Sequence, residues 1–229
     1  PVYITYYGDS ITYGAQSTLS LGIEPKQPGY TDLVDAYLSC RYPGKIYTRN
    51  NSKGGWTSSR AAQHAAQALS GHPSDIVVIA FGINDASVPT RPEPWEYADN
   101  IQRIISQARL KNPEAEVLLV SGWSANEQWK PFDVVAFNNY TAVLRYIHST
   151  TPGVRLVDVT SLSSNILERK SFYDITSNGV NHPNDFIYLM YAQAVIRGML
   201  GNDAINTSIP CLESDPTHPD SLTLATPAL

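Results

Sequence analysis

Five short runs of apolar or β-branched residues recur along the chain, at Val2–Tyr7, Lys45–Thr48, Ile76–Phe81, Val117–Val120 and Val154–Val159. Between them lie segments with helical spacing: Thr31–Ser39, Ser58–Leu69, Trp95–Leu110, Asp133–His148 and Asp185–Leu200. Strand and helix alternate from end to end, the pattern of a parallel sheet whose crossover helices cover both faces. The run from Ile76 to Phe81 has no polar alternation, which predicts a central strand buried on both sides. Gly71-His72-Pro73 and Asn112-Pro113 supply helix stops. The expected fold is therefore α/β, a three-layer α/β/α sandwich around a five-stranded parallel sheet. No internal repeat is present. Beyond Gly201 the apolar periodicity stops, and Pro210, Pro216, Pro219 and Pro227 are spaced among Ser, Thr and Asp. This predicts one domain over 1–203 and a surface tail or linker over 204–229, with a further domain as the partner such a linker would serve.

Composition narrows the function. The 229 residues suffice for one domain with a real core, at 42% hydrophobic. Charge is sparse, and 16 basic against 21 acidic side chains leave a net charge of −5 with no Lys/Arg cluster, which argues against a nucleic-acid partner. No apolar stretch reaches the ~20 residues of a membrane span. The sequence opens at Pro1 without an initiator Met or a signal peptide, as a mature protein or an excised domain would. Cys40 and Cys211 either form one bond that ties the tail to the first long helix or remain two thiols. Low charge, 14 tyrosines and three glycosylation acceptor patterns, at Asn50, Asn139 and Asn206, favour an extracellular protein.

In an open parallel sheet, ligands bind beyond the carboxyl ends of the strands. Three polar segments follow strand ends here: Gly8-Asp9-Ser10, Asn51 through Thr57 with Gly54-Gly55, and Gly82-Ile83-Asn84-Asp85. His182 stands just before the last helix, in Asn181-His182-Pro183-Asn184-Asp185. Each segment has a plain structural use, since Asp9, Ser10, Asn84 and Asp185 are helix-capping or turn residues and Gly54-Gly55 suits positive φ. Their conjunction is what points to chemistry. A serine hydroxyl becomes a nucleophile when a neutral imidazole takes its proton, and the oxyanion that follows needs preorganised N–H donors.

Taken in order, these blocks resemble the SGNH hydrolases, the GDSL-type esterases named for a Ser, Gly, Asn and His in four blocks. Gly8-Asp9-Ser10-Ile11-Thr12 with Gly14 matches the first, Gly55-Trp56-Thr57 the second, Gly82-Ile83-Asn84-Asp85 the third, and His182 with Pro183-Asn184-Asp185 the last. The resemblance implies a flavodoxin-like sheet, Ser10 as nucleophile and His182 as general base. It further implies an oxyanion hole from the N–H of Ser10, the N–H of Gly55 and the side-chain amide of Asn84. It implies no cofactor, and no metal-ligand spacing is present.

The chain departs from the family at one point. The residue three before the histidine, usually an Asp that orients the imidazole, is Gly179. Three readings stay open: a Ser–His dyad with a backbone carbonyl on the ring, Asn178 in the acid's place, or Asp174 reaching back. Trp56, Trp123 and Trp129 follow strand ends, where aromatic faces beside polar groups would suit a sugar ring; they are otherwise core or loop anchors. The expected activity is a serine esterase removing short acyl groups, acetyl above all, from carbohydrate or a small ester. The alternatives are a lipase or thioesterase acting on lipid or thioester, and a glycan-binding module that keeps the scaffold without catalysis.

Overall fold

The computed structural model describes residues 1–201, so the expected tail at 204–229 lies outside the described residues. Five parallel strands, β1 (Val2–Gly8), β2 (Ile46–Asn50), β3 (Ile76–Ala80), β4 (Glu116–Val120) and β5 (Val154–Val157), form one sheet in the order β2-β1-β3-β4-β5. The helices are α1 (Ser10–Tyr13), α2 (Thr18–Leu21), α3 (Tyr30–Arg41), α4 (Ser58–Ala68), α5 (Pro94–Arg109), α6 (Val134–Thr150), α7 (Val159–Leu167) and α8 (Asp185–Leu200), with a 3-10 turn at Phe172–Asp174. α3 packs against α8, while α5 packs between α4 and α6, which gives the expected three layers. The chain leaves β1 to one side for β2 and returns to the other side for β3. The loops after β1 and β3 thus border the crevice at the reversal point, where this architecture binds ligands.

Local chemistry explains the differences from the predicted elements. The run predicted as strand through Val159 stops at Val157 because Asp158 caps α7, its carboxylate accepting from the Ser161 N–H at 3.0 Å. β2 extends to Arg49 and Asn50 because it is a sheet edge, where polar residues are tolerated. The four-residue helices α1 and α2 are too short to show a period; side chains of Asp9 and Ser17 cap them.

Tyrosine abundance has a structural use. Tyr6, Tyr7, Tyr97, Tyr140, Tyr188 and Tyr191 are buried. Their hydroxyls are bonded as burial demands: Tyr97 donates to Phe81 O at 2.8 Å, Tyr188 to Ala15 O at 2.6 Å, and Tyr191 accepts from the Trp123 N–H at 2.8 Å. Each of these bonds fixes a loop beyond a strand end. Asn50, the acceptor position of one glycosylation pattern, donates its side-chain amide to Thr12 O at 2.8 Å. Cys40 is disulfide-bonded, while Cys211, the chain's other cysteine, lies outside the described residues. Among the described residues no helix is long and apolar enough to cross a membrane.

Candidate active site

Ser10 is the first residue of α1, directly beyond β1. The turn that presents it is held by Asp9, whose carboxylate accepts from the Ile11 N–H at 2.9 Å. It also requires glycine at position 8, since a Cβ there would lie 2.8 Å from Ala80 O. Asp9 is fully buried, and desolvation pushes its carboxyl up to about 7.

The second segment is tied to the first by the Lys53 N–H, which donates to Gly8 O at 2.9 Å. It runs beside the nucleophile, for a Cβ on Gly54 would stand 3.7 Å from Ser10 Cβ. Gly55 has φ +74°, whereas a Cβ on it would meet no protein atom within 4 Å. Backbone conformation, not crowding, is the structural reason for glycine here. The third segment is joined to the second through Asp85, which is buried and accepts from Ser58 N at 2.9 Å and Ser58 Oγ at 2.5 Å. Burial raises this carboxyl too, to about 6, against the opposing effect of the Ser58 bonds. Asn84 Nδ2 donates to Trp56 O at 3.0 Å. That carbonyl fixes the amide orientation, so Asn84 presents an NH₂, whose second hydrogen is left for a ligand oxygen. Ser10, Gly55 and Asn84 therefore belong to three cross-braced loops on one rim.

His182 completes the group across 172 residues of sequence: its Nε2 lies 2.9 Å from Ser10 Oγ. Its segment is pinned from several sides. Thr176 Oγ1 donates to His182 O at 2.9 Å, Asn126 Nδ2 to Gly179 O at 2.9 Å, and Trp123 Nε1 to Asn181 O at 3.0 Å. Asn184 is the cap of α8, accepting from the Ile187 N–H, while Asp185 instead accepts from Thr18 N at 3.0 Å and Thr18 Oγ1 at 2.5 Å. Burial without a facing carboxylate depresses the His182 pKa below the ordinary 6.5, which keeps the imidazole neutral at neutral pH.

The open question of the third group is resolved by position. Asn178 Nδ2 lies 2.9 Å from His182 Nδ1, and neither a backbone carbonyl nor a carboxylate takes that place. Asp174 is held elsewhere, because its Oδ2 accepts from the Ser171 N–H at 3.0 Å in the cap of the 3-10 turn. Trp123, expected at the substrate rim, is instead fully buried and stacked on Phe172 at 5.1 Å, so no face is open to a sugar. Trp129 packs against the core, while Trp56 stays half-buried, edge-on to Tyr7 and under the Arg60 guanidinium. Sequence reasoning missed Thr176 and Asn126, the residues that hold the histidine segment; neither lies in a patterned run. No cluster of three or more potential metal ligands exists among the described residues.

The GDSL-like Lipase/Acylhydrolase family matches residues 6–189, a span that contains all of these groups. No curated protein matches the chain at a significant level. Among solved structures it is similar to LAE5, an alpha/beta hydrolase from the metagenome of Lake Arreo, with 20% identity, a TM-score of 0.70, and 87% of this chain and 95% of that one covered. It is also similar to Axe2, an acetylxylan esterase from Geobacillus stearothermophilus, with 20% identity, a TM-score of 0.70, and coverage of 87% and 94%. A catalytic mutant of the same esterase superposes with a TM-score of 0.71 at 19% identity, over 88% of this chain and 95% of that one. At such identities the solved structures establish the fold, and the family match over most of the sequence establishes kinship: the chain belongs to the GDSL-like lipase/acylhydrolase family.

Proposed function

We propose that this hydrolase is a serine esterase that removes short acyl groups, acetyl foremost, from carbohydrate. The observation that carries the reading is the contact of 2.9 Å between Ser10 Oγ and His182 Nε2, set beside the Gly55 and Asn84 donors. Ser10 Oγ attacks the ester carbonyl and His182 Nε2 takes its proton. The oxyanion accepts from Ser10 N–H, Gly55 N–H and Asn84 Nδ2, and the imidazolium then protonates the departing sugar hydroxyl. Water deacylates the serine by the same path in reverse, and no metal or cofactor enters the scheme.

Carbohydrate as the acyl carrier is supported by a groove of about 400 Å³ lined by Thr57, Thr90, Arg91, Trp95, Glu96 and Asp99. Thr57 stands two residues beyond Gly55, and the wall continues through Val88, whose N–H donates to Asn84 O, so the groove adjoins both oxyanion segments. Trp95 is 70% exposed with carboxylates and guanidinium groups around it, the arrangement of an aromatic platform edged by hydroxyl-binding groups. The acetylxylan esterase among the similar structures agrees with this choice. An extracellular setting, where such glycans are found, is part of the same proposal.

The test is hydrolysis of p-nitrophenyl acetate, p-nitrophenyl octanoate and an acetylated xylooligosaccharide. Acetate and the glycan should turn over in preference to octanoate, and faster octanoate cleavage would move the assignment to lipase. The absence of a carboxylate at His182 specifically favours a second reading, a glycan-binding scaffold without turnover. Labelling by a fluorophosphonate separates the two, with label expected on native protein and lost in Ser10→Ala.

A further inference from the structure

The Asn178 side chain has only one orientation that satisfies its surroundings. Its Oδ1 accepts from three backbone N–H groups, those of Val180 at 3.0 Å, Asn181 at 3.1 Å and His182 at 3.1 Å. Backbone amides only donate, so the atom facing them is the oxygen, and the NH₂ faces the other way. There one hydrogen reaches Asn181 Oδ1 at 3.3 Å and the other points to His182 Nδ1 at 2.9 Å. An amide NH₂ has nothing to accept with. Nδ1 must therefore be the unprotonated nitrogen of the neutral ring, and the proton sits on Nε2, where it is donated to Ser10 Oγ. A general base needs the reverse: a lone pair on Nε2 and a proton on Nδ1.

We propose that Asn178 is a positioning residue that holds His182 in the tautomer unable to deprotonate Ser10, so that the resting enzyme is assembled but latent. Turnover requires Nε2 to release its proton to solvent while Nδ1 gains one. The new Nδ1–H then faces an N–H donor at hydrogen-bond distance. The same opposition recurs after attack, when the imidazolium carries a proton on each nitrogen and finds no acceptor behind it. An Asn beside the catalytic histidine costs a serine hydrolase about 10⁴ in turnover through this tautomer error. The surroundings of Asn178 suit a carboxylate. Its three N–H donors would hold one oxygen, the second would accept from Nδ1–H, and the exposed position avoids a desolvation penalty. Asn181 need only turn its amide to present NH₂.

This inference rests on the esterase reading, and the experiment separates the two. The nitrogen spectrum of ¹⁵N-histidine-labelled protein, with His182 assigned by its loss in His182→Gln, reports the tautomer without any substrate. Native protein should show a protonated Nε2 and a bare Nδ1, and Asn178→Asp should show protonated Nδ1. In parallel, kcat on p-nitrophenyl acetate should rise at least about 10²-fold in Asn178→Asp, with about 10⁴ as the ceiling, while Asn178→Ala gives no such gain. Peptide mass spectrometry verifies that Asn178, which precedes Gly179, has kept its amide in the native sample. A native spectrum with protonated Nδ1 overturns the proposal, as does an Asn178→Asp protein that folds and turns over no faster. If neither protein takes a fluorophosphonate label, the esterase reading fails, and the native spectrum still decides the tautomer.

Discussion

Asn84→Ala isolates the part of the site that stabilises charge from the part that moves protons. In the resting enzyme the Asn84 amide makes one neutral bond, to Trp56 O at 3.0 Å, and water can replace it when the side chain is truncated. The ground-state cost is thus that of an ordinary hydrogen bond near the surface, about 1 kcal/mol of stability. In the transition state the second hydrogen meets a full oxyanion. Loss of one such donor is worth about 10²–10³ in kcat, or roughly 2.7–4 kcal/mol. Because the interaction strengthens only as the charge develops, the loss should fall on kcat with KM little changed. The assay is steady-state hydrolysis of p-nitrophenyl acetate, run in the native and Asn178→Asp backgrounds. The fold-loss should be similar in both, since oxyanion stabilisation and imidazole orientation act on different atoms. Asn84→Asp should be at least as damaging, as its carboxylate would face both Trp56 O and the oxyanion. A kcat for Asn84→Ala within about fivefold of native would refute the oxyanion assignment, given the 10² lower bound.

Other outcomes follow from the groups around the site. His182, depressed by burial, must be neutral to act, so the acid limb of kcat/KM should fall below pH 6.5, which a pH–rate profile checks. Asp9 is raised from 3.8 to about 7, so the folded state holds a proton that the unfolded chain releases above pH ~4. This contribution to stability is complete below about pH 4 and is lost as pH rises to about 7, with Asp85 acting in the same sense up to about 6; Asp9→Asn should flatten the fall in Tm between about pH 4 and about pH 7. Trp95→Ala should raise KM for the acetylated oligosaccharide about tenfold, equal to ~1.4 kcal/mol, and leave p-nitrophenyl acetate unaffected; equal effects on both substrates would remove the groove from the binding path.

The sheet was legible because its evidence is local. Runs such as Ile76–Phe81 have one physical use, burial on both faces, and the intervening helices leave a parallel sheet as the only economical way to close the core. Ser10, Gly55 and Asn84 were legible for a related reason, since each follows a strand closely and the strand end fixes its place on the rim. Trp123 was misplaced because that rule says where a residue begins and not which way its side chain turns. Its ring turns inward to stack on Phe172 and to donate to Asn181 O, partners far from it in sequence.

The group behind His182 demanded more than spacing. A residue three positions before the histidine reaches its Nδ1 only if the intervening backbone follows one path, and here the path is different. Gly179 adopts φ +71°, and the turn gathers three successive N–H groups, from Val180 to His182, around the single oxygen of Asn178. That gathering carries a residue four positions upstream to the ring. It also dictates which end of the amide arrives there, because the oxygen is already taken. Asp174, although a carboxylate, is bound into the cap of its own 3-10 turn and is not a partner of the ring. The histidine's proton is thus placed by backbone donors that the ring does not contact, so substitutions that disturb the turn, at Gly179 above all, should change the tautomer while leaving Ser10, Gly55 and Asn84 where they are.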